Sequence, residues 1–310
     1  NLDKPEWKFS WVKEQWEKNT YEKVQQMFDT PYDQNPAPSK LPGAALEFDL
    51  ATFGEVESVE LNLAEALCEV KWENGVKLLT FIEAENTIGW FRFTGLNAVL
   101  SPVIIPPSYN LEGESGAESP VTGQDLRRLG YPKGKIIKLD NSIIYDQEGW
   151  GGFKYKVSVQ WQQNKDELEG CWSISSDFPG WEKKASAGEL TKAAAFNGFS
   201  AQFEKHKLWW QNFWSQSGIA LPDSVLTKQW YLEMYKLGAA SGNGAPPISL
   251  QAVWTADNGK LPPWKGDFHN DLNTQLSYWP AYSSNHLEQE RGFIDWLEKN
   301  KPQFENYTKQ

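Results

Sequence analysis

The sequence predicts a multidomain β + α protein in which a large antiparallel β-sandwich is followed by a helical linker and the first helices of an all-helical domain. Three observations predict it. Apolar residues alternate at period two from residue 43 to about residue 181. No helical crossover separates these runs, so neighbouring strands are antiparallel. After Gly180 the apolar spacing becomes helical and stays so. The 310 residues are 40% hydrophobic and 23% charged, an ordinary composition for a soluble globular chain with room for two domains.

Taken in order, residues 3–28 read as one amphipathic helix, with Asp3 placed to cap it and Pro5 near its first turn. Trp7, Trp11, Val24 and Phe28 recur at helical spacing. Residues 31–42 contain Pro31, Pro36, Pro38 and Pro42 and read as a linker that no helix continues into. Strands are expected over residues 45–50, 56–63, 67–72, 76–83 and 89–96, with a hairpin at Glu73-Asn74-Gly75. A polar loop fills 106–134, and strands resume over 135–139, 142–146, 154–162 and 169–175. Helices follow over 189–196 and 200–214. Another starts after Asp223 as cap, carries Leu226, Trp230, Met234 and Leu237 on one face, and closes at Gly242. Residues 243–270 are Gly- and Pro-rich loop. A helix begins near Asp271 or Asn273, and a last one spans 287–299. No short internal repeat is present. The expected divisions are 1–42 (helix and linker), 43–185 (sandwich), 186–221 (helical linker) and 222–310 (start of a helical domain). The residues after Pro222 have room for only about three or four helices of ordinary length, against about a dozen in a closed toroid of helical hairpins.

The net charge of -11 argues against a nucleic-acid partner, because polyanion binding is carried by Lys and Arg, and here the Lys residues sit beside Glu or Asp. Cys68 and Cys171 lie in separate strands, where a disulfide or two buried thiols are both open readings. His206, His269 and His286 with two distant Cys give no metal-ligand spacing, so neither a metal nor another cofactor is expected. No apolar run approaches the roughly 20 residues of a membrane span. The chain starts at Asn1, and the expectation is a secreted or periplasmic protein whose signal peptide has been removed. Seventeen Trp against two Met is the unusual number. Trp either fills a core or offers the apolar floor on which sugar rings stack, and position has to decide.

Residues 250–285 carry that position. Between Trp254 and Trp279 lie Asp257, Asn258, Trp264, Asp267, His269, Asn270, Asp271, Asn273 and Gln275. Carboxylates and amides hydrogen-bond sugar hydroxyls in pairs, and Trp supplies the apolar surface, so this density is what a carbohydrate site needs. Asp271 and Asn273 are two apart and share no helical face, so to reach one ligand they must lie in the first turn or before it. Asp271 reads equally well as a helix N-cap, and His269 alone as a structural residue.

The motifs Leu250-Gln251-Ala252-Val253-Trp254, Pro262-Pro263-Trp264, Gly266-Asp267-Phe268-His269, Asn273-Thr274-Gln275 and Tyr278-Trp279-Pro280-Ala281 together resemble glycoside hydrolase family 95. Residues 206–214 and 219–238 extend the resemblance, which covers about a quarter of the chain. It implies a supersandwich followed by an (α/α)6 toroid, and inverting hydrolysis of α-linked L-fucose, L-galactose or a related sugar in plant and host glycans. In the family a His-x-Asn-x-Asn motif holds the attacking water. The second Asn falls on Asn273 and the His on His269, but the first falls on Asp271. The resemblance therefore assigns catalysis to Asp271 and Asn273, and sugar binding to Trp254, Trp264, His269, Asn270, Gln275 and Trp279. Unlike an amide, a carboxylate at Asp271 can take a proton from water itself. It equally fits contact with another sugar hydroxyl, or a degenerate site. Inversion needs two carboxyl groups roughly 6.5–9.5 Å apart, and the general acid is expected outside this chain, which would then be an incomplete enzyme. Glu288, Glu290 and Glu298 read as solvated surface. Two other classes stay open: a non-catalytic glycan-binding protein, and a phosphorylase of similar architecture with Lys260 or Lys265 near phosphate.

Overall fold

The computed structural model describes residues 4–34, 39–109, 125–177, 185–242, 244–250, 252 and 263–309. The N-terminal helix is two helices, α1 (Phe9–Glu17) and α2 (Glu22–Gln34), after a 3-10 turn at Pro5–Trp7. Asn19, at φ 57, turns the chain out of α1, and the Thr20 hydroxyl ties the break to the Gln15 side chain at 3.0 Å. Asn tolerates this left-handed conformation better than most residues. α2 also runs past Pro31 to Gln34, contrary to the expected stop. A proline removes a single helix donor, and a helix that ends three residues later loses little else.

Ten strands follow: β1 (Ala45–Glu47), β2 (Val56–Asn62), β3 (Leu67–Trp72), β4 (Lys77–Ile82), β5 (Ile88–Thr94), β6 (Val103–Ile105), β7 (Lys135–Leu139), β8 (Ser142–Glu148), β9 (Lys154–Asn164) and β10 (Glu167–Ser176). Eight form one antiparallel sheet in the order β2-β3-β4-β5-β10-β9-β8-β7, while β1 and β6 pair as a separate ribbon. β6 was not expected, since three residues are too few to show a period. The alternation settles which face each side chain takes. Phe91, Phe93, Leu168, Val157, Val159, Ile143 and Tyr145 pack under the ribbon with Leu46 and Ile104. Ile88, Trp90 and Cys171 point to the other face, where helices cover them. The second β layer is therefore the two-stranded ribbon, much smaller than the main sheet. Both cysteines are free. Cys171 is buried, donates to the Thr191 carbonyl, and has its pKa pushed by burial up to about 12.

The covering helices are α3 (Ala187–Asn197) and α4 (Phe199–Trp214). A reciprocal Ser186–Glu189 capping box starts α3. The start of α4 is fixed from the sheet: Glu169 accepts the Phe199 N–H at 2.9 Å and an Arg92 N–H at 2.7 Å, and the Arg92 guanidinium lies 4.2 Å from the Phe199 ring centre. Negative charge at a helix N-terminus also suits the backbone dipole. α4 changes partners along its length. Phe199 and Phe203 pack on the sheet, whereas Trp210 and Phe213 enter a second core with Met234, Leu237, Ile248, Tyr278, Ala281 and Phe293.

That second core joins α5 (Ser224–Ala240), α6 (Asn273–Ser283) and α7 (Arg291–Lys309). Asp223 caps α5 as its sequence indicates, accepting from Val225 and Leu226. The last expected helix is instead a 3-10 turn at Leu287–Gln289 followed by α7, which continues through Pro302 to Lys309. The architecture is a large antiparallel sheet followed by helices. No described helix is long and apolar enough to cross a membrane.

Candidate functional site

The motif segment is built on the buried face of α6. Tyr278 and Ala281 are inaccessible or nearly so, as is Thr274. The Tyr278 hydroxyl accepts the Ile248 N–H at 2.9 Å, and the Thr274 hydroxyl donates to the Ile248 carbonyl at 3.3 Å. An extended stretch at residues 247–249 is thereby locked to α6. The Tyr278 ring stacks on Phe293 of α7 at 5.1 Å, and burial pushes its pKa up to about 12. Two further backbone bonds fold the loop back on itself, from Leu250 N–H to the Asp267 carbonyl at 2.8 Å and from Thr274 N–H to the His269 carbonyl at 3.0 Å.

Against this frame the predicted residues separate into three groups. Trp254, like Asp257, Asn258 and Lys260, lies outside the described residues. Trp264, Gln275 and Trp279 are exposed, Trp264 at 41% and Trp279 at 58%. By contrast Trp72, Trp90 and Trp210 are core residues. Asp271 sits in the turn before α6, and Asn273 is the first helical residue. Their two-residue spacing therefore does not force them onto opposite helix faces. The N-cap of α6 is Leu272, with no side-chain capping bond, so Asp271 is not the cap. Both Asp271 and Asn273 are exposed.

The third group is the loop before the helix. His269 Nδ1 lies 2.8 Å from Asp267 Oδ1, in ion-pair range but without the alignment of a hydrogen bond. These two atoms and Asn270 Oδ1 are shielded from solvent and have no hydrogen-bond partner among the described residues.

Residues 221–310 match the glycosyl hydrolase family 95 catalytic domain. This is the family that the motifs resemble, and the match takes in α5, α6, α7 and the whole motif segment. The sheet lies outside the family 95 match. Among solved structures, a human-microbiome protein described as a kojibiose phosphorylase aligns with a TM-score of 0.47 and 11% identity. The alignment covers 69% of this chain and 34% of that one, so the chain spans about a third of that structure's length. No curated protein matches the sequence.

One expectation near the family 95 segment needs correcting. Glu290 is buried, not solvated surface, and accepts a hydrogen bond from the Tyr282 hydroxyl, whose pKa that bond raises. Its carbonyl accepts from Phe293 and Ile294 at the start of α7. Helical spacing carries no signal for this: Glu290 stands eight residues after Tyr282 across a turn, where the i, i+4 rule does not apply.

Proposed function

We propose that residues 263–282 form the water-side wall of a glycoside hydrolase site that acts by inversion on α-linked L-fucose, L-galactose or a related sugar. The observation that carries this reading is the cluster of polar side chains on Asp267, His269, Asn270, Asp271 and Asn273, set between the exposed Trp264 and Trp279. Trp264 and Trp279 offer aromatic faces to the C–H side of a pyranose, while Asn270, His269 and Gln275 hydrogen-bond its hydroxyls. Asn273 orients the water. Asp271 accepts its proton as general base, the role its carboxylate permits where relatives of the family carry an amide.

The family match supports the class of substrate, a glycan. The exposed apolar residues Leu276 and Tyr282 on α6, with Leu272 just before it, are consistent with helices α5, α6 and α7 being the first of an (α/α)6 toroid, with a helical linker at 186–221. A secreted or periplasmic setting fits a polysaccharide substrate. The test is release of sugar from aryl α-L-fucosides and α-L-galactosides by the protein as its gene encodes it. Asp271→Ala should lower the rate at least about 100-fold, the usual loss for a general base. Sugar binding without turnover would replace the hydrolase by a glycan-binding protein, and turnover that requires phosphate would replace it by a phosphorylase.

A further inference from the structure

Lys40, which no motif singles out, grips the wall from the far end of the chain. Its backbone N–H donates to the Lys265 carbonyl at 2.8 Å. Its ammonium donates to Ser249 Oγ at 3.0 Å and to the Ala252 carbonyl. Ser249 is buried, and its own hydroxyl donates to the Ala252 carbonyl at 3.3 Å. The contacts span 209 and 212 residues of sequence. Ala252 and Lys265, the residues whose carbonyls are taken, both have left-handed backbones, with φ 53 and 58, and Trp264 beside them has φ 49. A non-glycine residue rarely adopts this conformation without support from its surroundings. Two turns are thus held against their local preference, and one residue bonds to both.

We propose that Lys40 is a positioning residue for the glycan-binding wall. It fixes the turn at 249–252 and the turn at 264–267, and so sets where Trp264 and the Asp267–His269 pair stand relative to α6. The inference rests on reading this wall as a glycan site. The first contact with the wall therefore comes from the Pro-rich segment that precedes the sheet, and substrate affinity depends on a residue outside the family 95 match. Partial burial of the ammonium holds its pKa below the ordinary lysine value.

The experiment compares Lys40→Met, which keeps the aliphatic stem, and Lys40→Arg, which keeps the cation, with the wild type. Hydrogen exchange is read over residues 248–252 and 264–270, and binding of L-fucose and L-galactose by tryptophan fluorescence. In Lys40→Met, exchange in both segments should rise at least about tenfold, with β5 and β10 unchanged, and sugar affinity should fall about tenfold. Lys40→Arg should restore most of both. Unchanged exchange in Lys40→Met overturns the proposal, and so does faster exchange with unchanged affinity, which would leave Lys40 a purely structural tie. A wild type that binds neither sugar removes the glycan reading alone, and exchange then decides whether Lys40 sets the two turns.

Discussion

His206 and His286 show how single buried groups tie stability to pH. The His206 ring is packed against Phe81 and Trp210, with Nε2 3.3 Å from the Ala66 carbonyl and Nδ1 unpartnered. His286 is fully buried against Phe213, with Nδ1 bonded to the Ser284 carbonyl and Nε2 unpartnered. Burial lowers both pKa values. A histidine with a lowered folded pKa is kept neutral by the fold, so below about pH 6.5 the unfolded chain binds the extra proton first. Stability is thus complete above that pH and is lost as pH falls through the lowered folded values. Thermal melts between about pH 7.5 and 5 should show a falling melting temperature, and the double variant His206→Gln, His286→Gln should flatten that slope. An unchanged slope in the double variant would assign it to other groups. Neither role is legible in sequence, because a lone histidine reads the same whether it is buried or exposed. Asp271 is the opposite case. Its departure from the family motif shows in the sequence, and the structure removes the competing reading of a helix cap by placing Leu272 there.

Among elements, the strands of the main sheet were legible because two-residue alternation repeats along them. What alternation does not reveal is close approach. In the β5–β10 register Gly170 stands opposite Phe91, and a Cβ at Gly170 would lie 2.2 Å from the Phe91 ring. Gly170→Ala should therefore cost about 1–3 kcal/mol in urea unfolding. Gly188→Ala in α3, where a Cβ meets nothing within 4 Å, should be about neutral or slightly stabilising. Equal effects of the two substitutions would contradict this packing. A helix start was legible where a cap marked it, at Asp223, and was missed at Ser186, whose capping box starts α3 two residues before the expected 189. The expected stop at Pro31 and the expected end at 299 were both overrun. The short ribbon strands β1 and β6 were half missed for a related reason: three residues fix no period, and their pairing spans about 60 residues of chain.

For the whole molecule, α4 is the element that connects the sheet to the helical core, since its first half packs on Phe81 and Trp90 and its second half on α5 and α7 through one aromatic cluster. The site lies on the helical side of that connection, yet Lys40 reaches it from before the sheet. The proposed wall stood out in the sequence because it concentrates an unusual mix of residues, namely Trp beside carboxylates and amides. The motifs did not identify Lys40, because lysine is common and its contacts are made to two backbone carbonyls and one serine hydroxyl far along the chain. The central claim is that Asp271 and Asn273 deliver water to the far face of an α-linked sugar. It is tested most directly by following, by proton NMR, the anomer first formed from an aryl α-L-fucoside or α-L-galactoside with the gene-encoded protein. The account predicts the β-anomer first, with its formation lost in Asp271→Ala. The α-anomer first, or a rate unaffected by Asp271→Ala, would contradict it.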